Sequence, residues 1–160
     1  MMFASTGLPR RTVVVLFAFL AVFVCYIDRV AISVAIIPMA EDLGWSPRTQ
    51  GAVLSSFFVG YLMLQIAGGR LADRFGGKVV LGAGVLLWSL FTALGAVASQ
   101  VLMIFMASRV LLGLSEGIQP PMMNQLTNTW FAPDERSRAN STFVAGLFLA
   151  ILTAPIVLVP

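Results

Sequence analysis

The sequence predicts an all-α membrane protein, and three observations carry that prediction. The 160-residue chain is 59% hydrophobic and only 11% charged, far below the quarter of charged residues usual in a soluble domain. Its apolar residues gather in blocks of about 20, the length a helix needs to cross the hydrocarbon core. Its Lys and Arg residues sit between the blocks and mostly on one side. With the N-terminus inside, that side receives Arg10, Arg11, Arg70, Arg74, Lys78, Arg136 and Arg138, and the other receives only Arg48. Seven against one places the N-terminus in the cytoplasm. Every span is helical, because a lone strand in lipid leaves its backbone groups unpaired.

Residues 1–12 are expected as a cytoplasmic N-terminus and residues 13–160 as one transmembrane helical domain of about five spans. The first span covers 13–39. Arg10 and Arg11 followed by "TVVVLFAFLAVFVC" imitate a secretory signal, but apolar sequence resumes beyond Arg29 through Ala40, which a membrane helix explains more simply. "EDLGWSPRTQ" supplies turn and cap residues before the second span, 50–68. The Gly-rich, charged connection "GGRLADRFGGK" leads to the third, 79–98, and "SQ" is barely a loop before the fourth, 101–127. Within that span Pro120 and Pro121 remove two backbone donors and disrupt the bonds to Glu116 and Gly117, loosening the helix. "FAPDERSR" precedes the fifth span, 139–160. The "NST" at Asn140 spells a glycosylation sequon, but this topology turns it to the cytoplasm or into a helix. No polar flank stands behind "APIVLVP", so the chain is expected to be the opening portion of a longer protein, with a C-terminal half to follow.

Several function classes drop out. Cys25 is the one cysteine and there is no histidine, so internal disulfides, imidazole or Cys-cluster metal sites, and hydrolases needing a His base have no residues to work with. No enzyme activity, cofactor or metal is expected. The formal charge of +3 does not point to nucleic acid, because the basic residues are scattered between apolar blocks and form no patch. "GGRLADRFGGK" lacks the GxxxxGK spacing and follows no strand, which argues against a nucleotide site.

Four charged residues lie deep within spans: Asp28, Arg29, Arg109 and Glu116. Each costs about 2.5–3.5 kcal/mol at the bilayer centre on an insertion scale. Arg109 and Glu116 are separated by about 700° of helical rotation and about 10.5 Å of rise, so they share nearly one face. That face continues through Gly113, Pro120, Asn124 and Asn128, a polar and small-residue stripe suited to a cavity or a neighbouring helix. Two readings stand. The four charges neutralise one another and fix helix packing, or the arginines take an anion's carboxylate or phosphate through planar bidentate donors while a carboxylate titrates. Glu116 is the better proton carrier of the two acids, because Asp28 has Arg29 adjacent. Tyr61 and Gln65 lie one turn apart on a face shared with Phe58, facing a cavity or bonding between helices. Gly113 and Gly117 form a GxxxG that reads as close helix packing.

"GRLADRFGGK", from Gly69 to Lys78, is similar to the signature loop between the second and third helices of the major facilitator superfamily. Within it, "YIDRVAISVAIIPM", "SSFFVGYLMLQIAGG", "SRVLLGLSEG" and "FAPDERSRA" resemble most closely the anion:cation symporter family. The resemblance implies the first five helices of a fold whose two six-helix halves enclose a midplane site. It implies a secondary active transporter that moves an organic anion (a sugar acid or carboxylate) or phosphate, coupled to protons or sodium, by alternating access. Arg29 and Arg109 would engage the anion, and Tyr26, Tyr61 and Gln65 would line the site; Asn124, on the polar stripe of the fourth span, is a further candidate contact. Glu116 would take part in proton coupling, and Asp28 would pair with a central arginine and is a second candidate proton carrier. Gly69, Asp73, Arg74, Gly76 and Lys78 would belong to the cytoplasmic gate. The partners implied are a small anionic solute, a coupling proton or sodium ion, the lipid bilayer and the C-terminal half. A cell (inner) membrane location is expected.

Ala31 stands where many relatives have Asn, and Leu54 where the vesicular glutamate carriers have His. The fifth span lacks the GPxxGG-type pattern of drug:proton antiporters. The alternatives are a multidrug or other solute exporter of the same superfamily, or a non-transporting truncated half.

Overall fold

The computed structural model describes residues 10–158, which are helical apart from short turns. Six helices follow in order: α1 (Arg10–Leu43), α2 (Pro47–Phe75), α3 (Gly77–Ala98), α4 (Leu102–Glu116), α5 (Gln119–Trp130) and α6 (Arg136–Leu158). With α4 and α5 taken as one segment, five stretches are long and apolar enough to span a bilayer. The chain is a multi-pass membrane protein.

Helix ends follow local chemistry. Ser46 caps α2, its hydroxyl accepting from Thr49 N–H at 3.2 Å, and Pro47 takes the first turn, where a missing donor costs nothing. The Gly-rich connection expected over 68–78 is mostly helix instead: α2 continues to Phe75, and Gly76 alone separates it from α3. The Ala, Leu and Arg residues of "GRLADRF" favour helix, and Arg74 in the last turn suits the negative end of the macrodipole. Gly76 turns the chain because its φ of 81° is a left-handed conformation open to glycine. The fourth span likewise breaks into α4 and α5 at Gly117 and Ile118. Pro120 and Pro121 have no N–H to give, so the ladder resumes only at Met122 N–H, 3.2 Å from Ile118 O.

The most extensive packing joins α2 to α4, followed by α1 to α6 and α3 to α4. The α2–α4 contact is backbone against backbone. A Cβ on Gly113 would run into the carbonyl oxygen of Phe57, and one on Gly60 into that of Val110, which is the close approach small residues permit between membrane helices. Cys25, Phe57, Trp88 and Leu112 form a buried cluster that ties α1, α2, α3 and α4 together. Ala18 and Val22 of α1 pack against Met123 of α5 and against Ala139 and Phe143 of α6. The outer surface is apolar, with Ile66 and Val97 each 83% exposed and Leu86 74%, as a surface facing acyl chains requires.

Candidate functional site

Glu116 at the end of α4 and Arg29 of α1 meet inside the helix cluster. Glu116 is wholly buried, and Arg29 Nε donates to its Oε2 at 3.0 Å. Cys25 Sγ lies 2.9 Å from the same oxygen and 3.2 Å from Gln119 Oε1, and its single S–H serves one of them at a time. Arg29 Nη2 is 3.6 Å from that sulfur. Aromatic rings enclose the rest of the guanidinium: its Cζ stands 4.7 Å from the Tyr26 centroid, 5.1 Å from Phe57 and 4.5 Å from Tyr61. A partly desolvated cation against several rings gains more than it would in water.

Helical spacing assembles this group. Cys25 is one turn before Arg29 on α1, Phe57 one turn before Tyr61 on α2, and Gln119 three residues after Glu116, each a same-face separation.

Asp28 and Arg29 are consecutive, so they point about 100° apart around α1 and meet different neighbours. Asp28 Oδ2 accepts from Thr92 Oγ1 of α3 at 3.3 Å. Asp28, Ala31, Thr92, Ser99, Phe105 and Arg109 line a cavity of about 300 Å³ between α1, α3 and α4. Asp28 and Arg109 thus share a cavity but form no ion pair within 4.0 Å; the buried pair among the described residues is Arg29 with Glu116. Arg109 is buried, its Cζ stands 5.8 Å from the Phe57 centroid, and its Nε has no hydrogen-bond partner among the described residues. Glu116 Oε1 is unpartnered in the same way. Ala31 gives this cavity a methyl group where an amide would have supplied a polar contact.

Two guanidinium groups and two carboxylates therefore converge, formally neutral when all are ionised. The arrangement offers planar cationic donors suited to a carboxylate or phosphate. It also offers a buried carboxylate bonded to one of those donors.

The structure brings Tyr26, Asp28, Arg29, Tyr61, Arg109 and Glu116 to this region. It does not bring Gln65 or Asn124, whose side chains are exposed. Asn124 lies on α5, beyond the α4–α5 break. Phe58 is 54% exposed, and its neighbour Phe57 occupies the cluster in its place, since positions three and four residues before Tyr61 both fit one face and only the α2–α4 contact chooses between them. At the expected gate, Gly69 is half-buried while Asp73 and Arg74 are exposed. Arg74 Cζ lies 5.4 Å from the Phe75 ring, and among the described residues no side chain caps the start of α3. The side chain of Lys78 lies outside the described residues.

Cys25, Phe57, Thr92 and Gln119 also belong to the site, although none is among the residues expected there from the sequence. The first, second and fourth could have been found by their helical spacing from Arg29, Tyr61 and Glu116. Thr92 carries no such signal, because it sits on a different helix from every charged candidate.

Comparison with known proteins adds a family. The model described as "Major Facilitator Superfamily" matches residues 18–158. The chain is 45% identical over 146 residues to "Probable anion transporter 4, chloroplastic" of Oryza sativa subsp. japonica, covering 91% of the chain and 25% of that protein. It is 44% identical to "Sodium-dependent phosphate transport protein 1, chloroplastic" of Arabidopsis thaliana, covering 91% of the chain and 28% of the relative. Identity to "Ascorbate transporter, chloroplastic" of Arabidopsis thaliana is 43%, covering 91% and 27%. The chain thus spans between a quarter and three tenths of the length of these relatives.

Proposed function

Because the chain belongs to the major facilitator superfamily, whose model spans residues 18–158, we propose that it is the opening part of a secondary active transporter for an anion, coupled to protons or sodium and working by alternating access. The cargo class is a sugar acid or other carboxylate, or phosphate. The relatives named for phosphate and for ascorbate support an anion in general.

The buried Arg29–Glu116 pair carries this reading. A carboxylate of the protein already accepts from Arg29 Nε, so an arriving carboxylate or phosphate competes with it for that guanidinium. Glu116 gives up Arg29 at least cost when it takes a proton, because an uncompensated charge in that setting is expensive. Binding of the anion and protonation of Glu116 then favour each other, which is symport. Arg109, with a donor unpartnered, is the second point of attachment. Asp28 faces Arg109 across the cavity and balances its charge. The gate residues Asp73 and Arg74 lie at the cytoplasmic end, where rocking of two halves would open and close the path.

The full-length protein in proteoliposomes tests this. Arg109→Ala is expected to abolish uptake of radiolabelled phosphate and gluconate while membrane insertion persists. Glu116→Gln is expected to remove the stimulation by an inward proton gradient, and imposing a sodium gradient separates the two coupling ions. Undiminished uptake by Arg109→Ala would sink the reading. The membrane it occupies is a separate matter: the names of the relatives place those proteins in the chloroplast and lend no support to a cell-membrane location. Fractionation of the tagged full-length protein decides it.

A further inference from the structure

We propose that Phe57 is the positioning residue that spaces the two arginines and, through that spacing, sets which anions the site accepts. The ring belongs to α2 and is 4% exposed. The Cζ atoms of Arg29 and Arg109 stand 5.1 Å and 5.8 Å from its centroid. Both distances fall within the roughly 6 Å over which a guanidinium is attracted to an aromatic ring. One ring thus holds two like charges that come from two other helices.

Like charges in a weakly screening interior repel. Glu116 offsets that repulsion at Arg29, with its Oε2 on Arg29 Nε, whereas Arg109 has no ion pair within 4.0 Å among the described residues. The ring adds an attraction that acts on both guanidinium groups at once. Its own position is fixed twice. The Phe57 carbonyl lies against Gly113 of α4, where a Cβ would collide, and Tyr61 stacks on the ring with centroids 5.8 Å apart. Phe57 therefore has little freedom to shift, and because both guanidinium groups rest against this one ring, it helps fix the separation of the arginines. A compact tetrahedral anion and an extended sugar acid make different demands on that separation.

This inference rests on the anion-transport reading, so the experiment includes a readout that needs no transport. In the full-length protein, Phe57→Leu removes the aromatic face at similar volume, and Phe57→Tyr keeps it. The first measurement is the ratio of KM for inorganic phosphate to KM for gluconate in proteoliposomes. The second is the rate at which phenylglyoxal modifies Arg29 and Arg109 in detergent, followed by mass spectrometry. Phe57→Leu is expected to change the KM ratio by about three- to tenfold, the loss of one or two such contacts. It is also expected to raise modification of both arginines, while Phe57→Tyr stays within about twofold of wild type in both readouts. An unchanged ratio and unchanged labelling in Phe57→Leu, or equal effects of the Leu and Tyr substitutions, would overturn the proposal. If wild type takes up neither anion and Phe57→Leu still raises labelling of both arginines, the anion-transport reading falls while the spacing role of Phe57 is upheld.

Discussion

Glu116 and Glu135 show how differently two carboxylates on arginines behave. Glu116 is wholly buried with Arg29, whereas the Arg11–Glu135 pair is exposed on both sides, 62% and 45% by side chain. Glu116→Ala leaves a desolvated guanidinium without its partner and is expected to destabilise the fold by about 3–5 kcal/mol. Glu135→Ala should cost about 0–1 kcal/mol, since solvent screens that pair. Thermal denaturation of the purified full-length variants in detergent checks both, and equal losses would refute the difference in burial. The charges themselves were legible in the sequence, because an ionisable residue within a 20-residue apolar run is costly and therefore conspicuous. Their partners were not. Which acid meets which arginine depends on rotation about α1, where one residue step separates Asp28 facing Thr92 from Arg29 facing Glu116.

Glycine positions govern how the elements meet. Gly113→Ala would push a methyl group into the Phe57 carbonyl and prise α2 from α4, whereas nothing lies within 4 Å of a Cβ at Gly82 on α3. We expect Gly113→Ala to cost about 1–3 kcal/mol, as overpacking does, and to lower anion uptake by displacing Glu116 from Arg29. Gly82→Ala should be neutral or stabilising by up to about 1 kcal/mol, as relief of helix-interior glycine. Melting curves and uptake measured on the same two variants decide the point. Packing at the GxxxG of Gly113 and Gly117 could be anticipated from spacing alone, and so could the loosening at Pro120 and Pro121. The continuation of α2 through "GRLADRF" could not, because glycines and charges suggest a loop by composition while the backbone there remains free to stay helical.

At the scale of the whole molecule, the bias of Lys and Arg fixes an orientation that labelling can read. On a Cys25→Ser background, Ser46→Cys at the start of α2 is expected to react with an impermeant maleimide added outside intact cells. Ser137→Cys near the start of α6 should react only after permeabilisation. Both serines are exposed, so access is set by the membrane, and labelling of the two from the same side would overturn the topology. The number of spans and the direction of threading follow from the chain itself, since apolar length and flanking charge are local quantities that the bilayer reads segment by segment. Phe57 in place of Phe58, Cys25 on Glu116, and Asp28 apart from Arg109 emerge only when α1, α2, α3 and α4 pack. Those outcomes depend on helix rotation and on how closely two backbones approach, and no single segment carries that information.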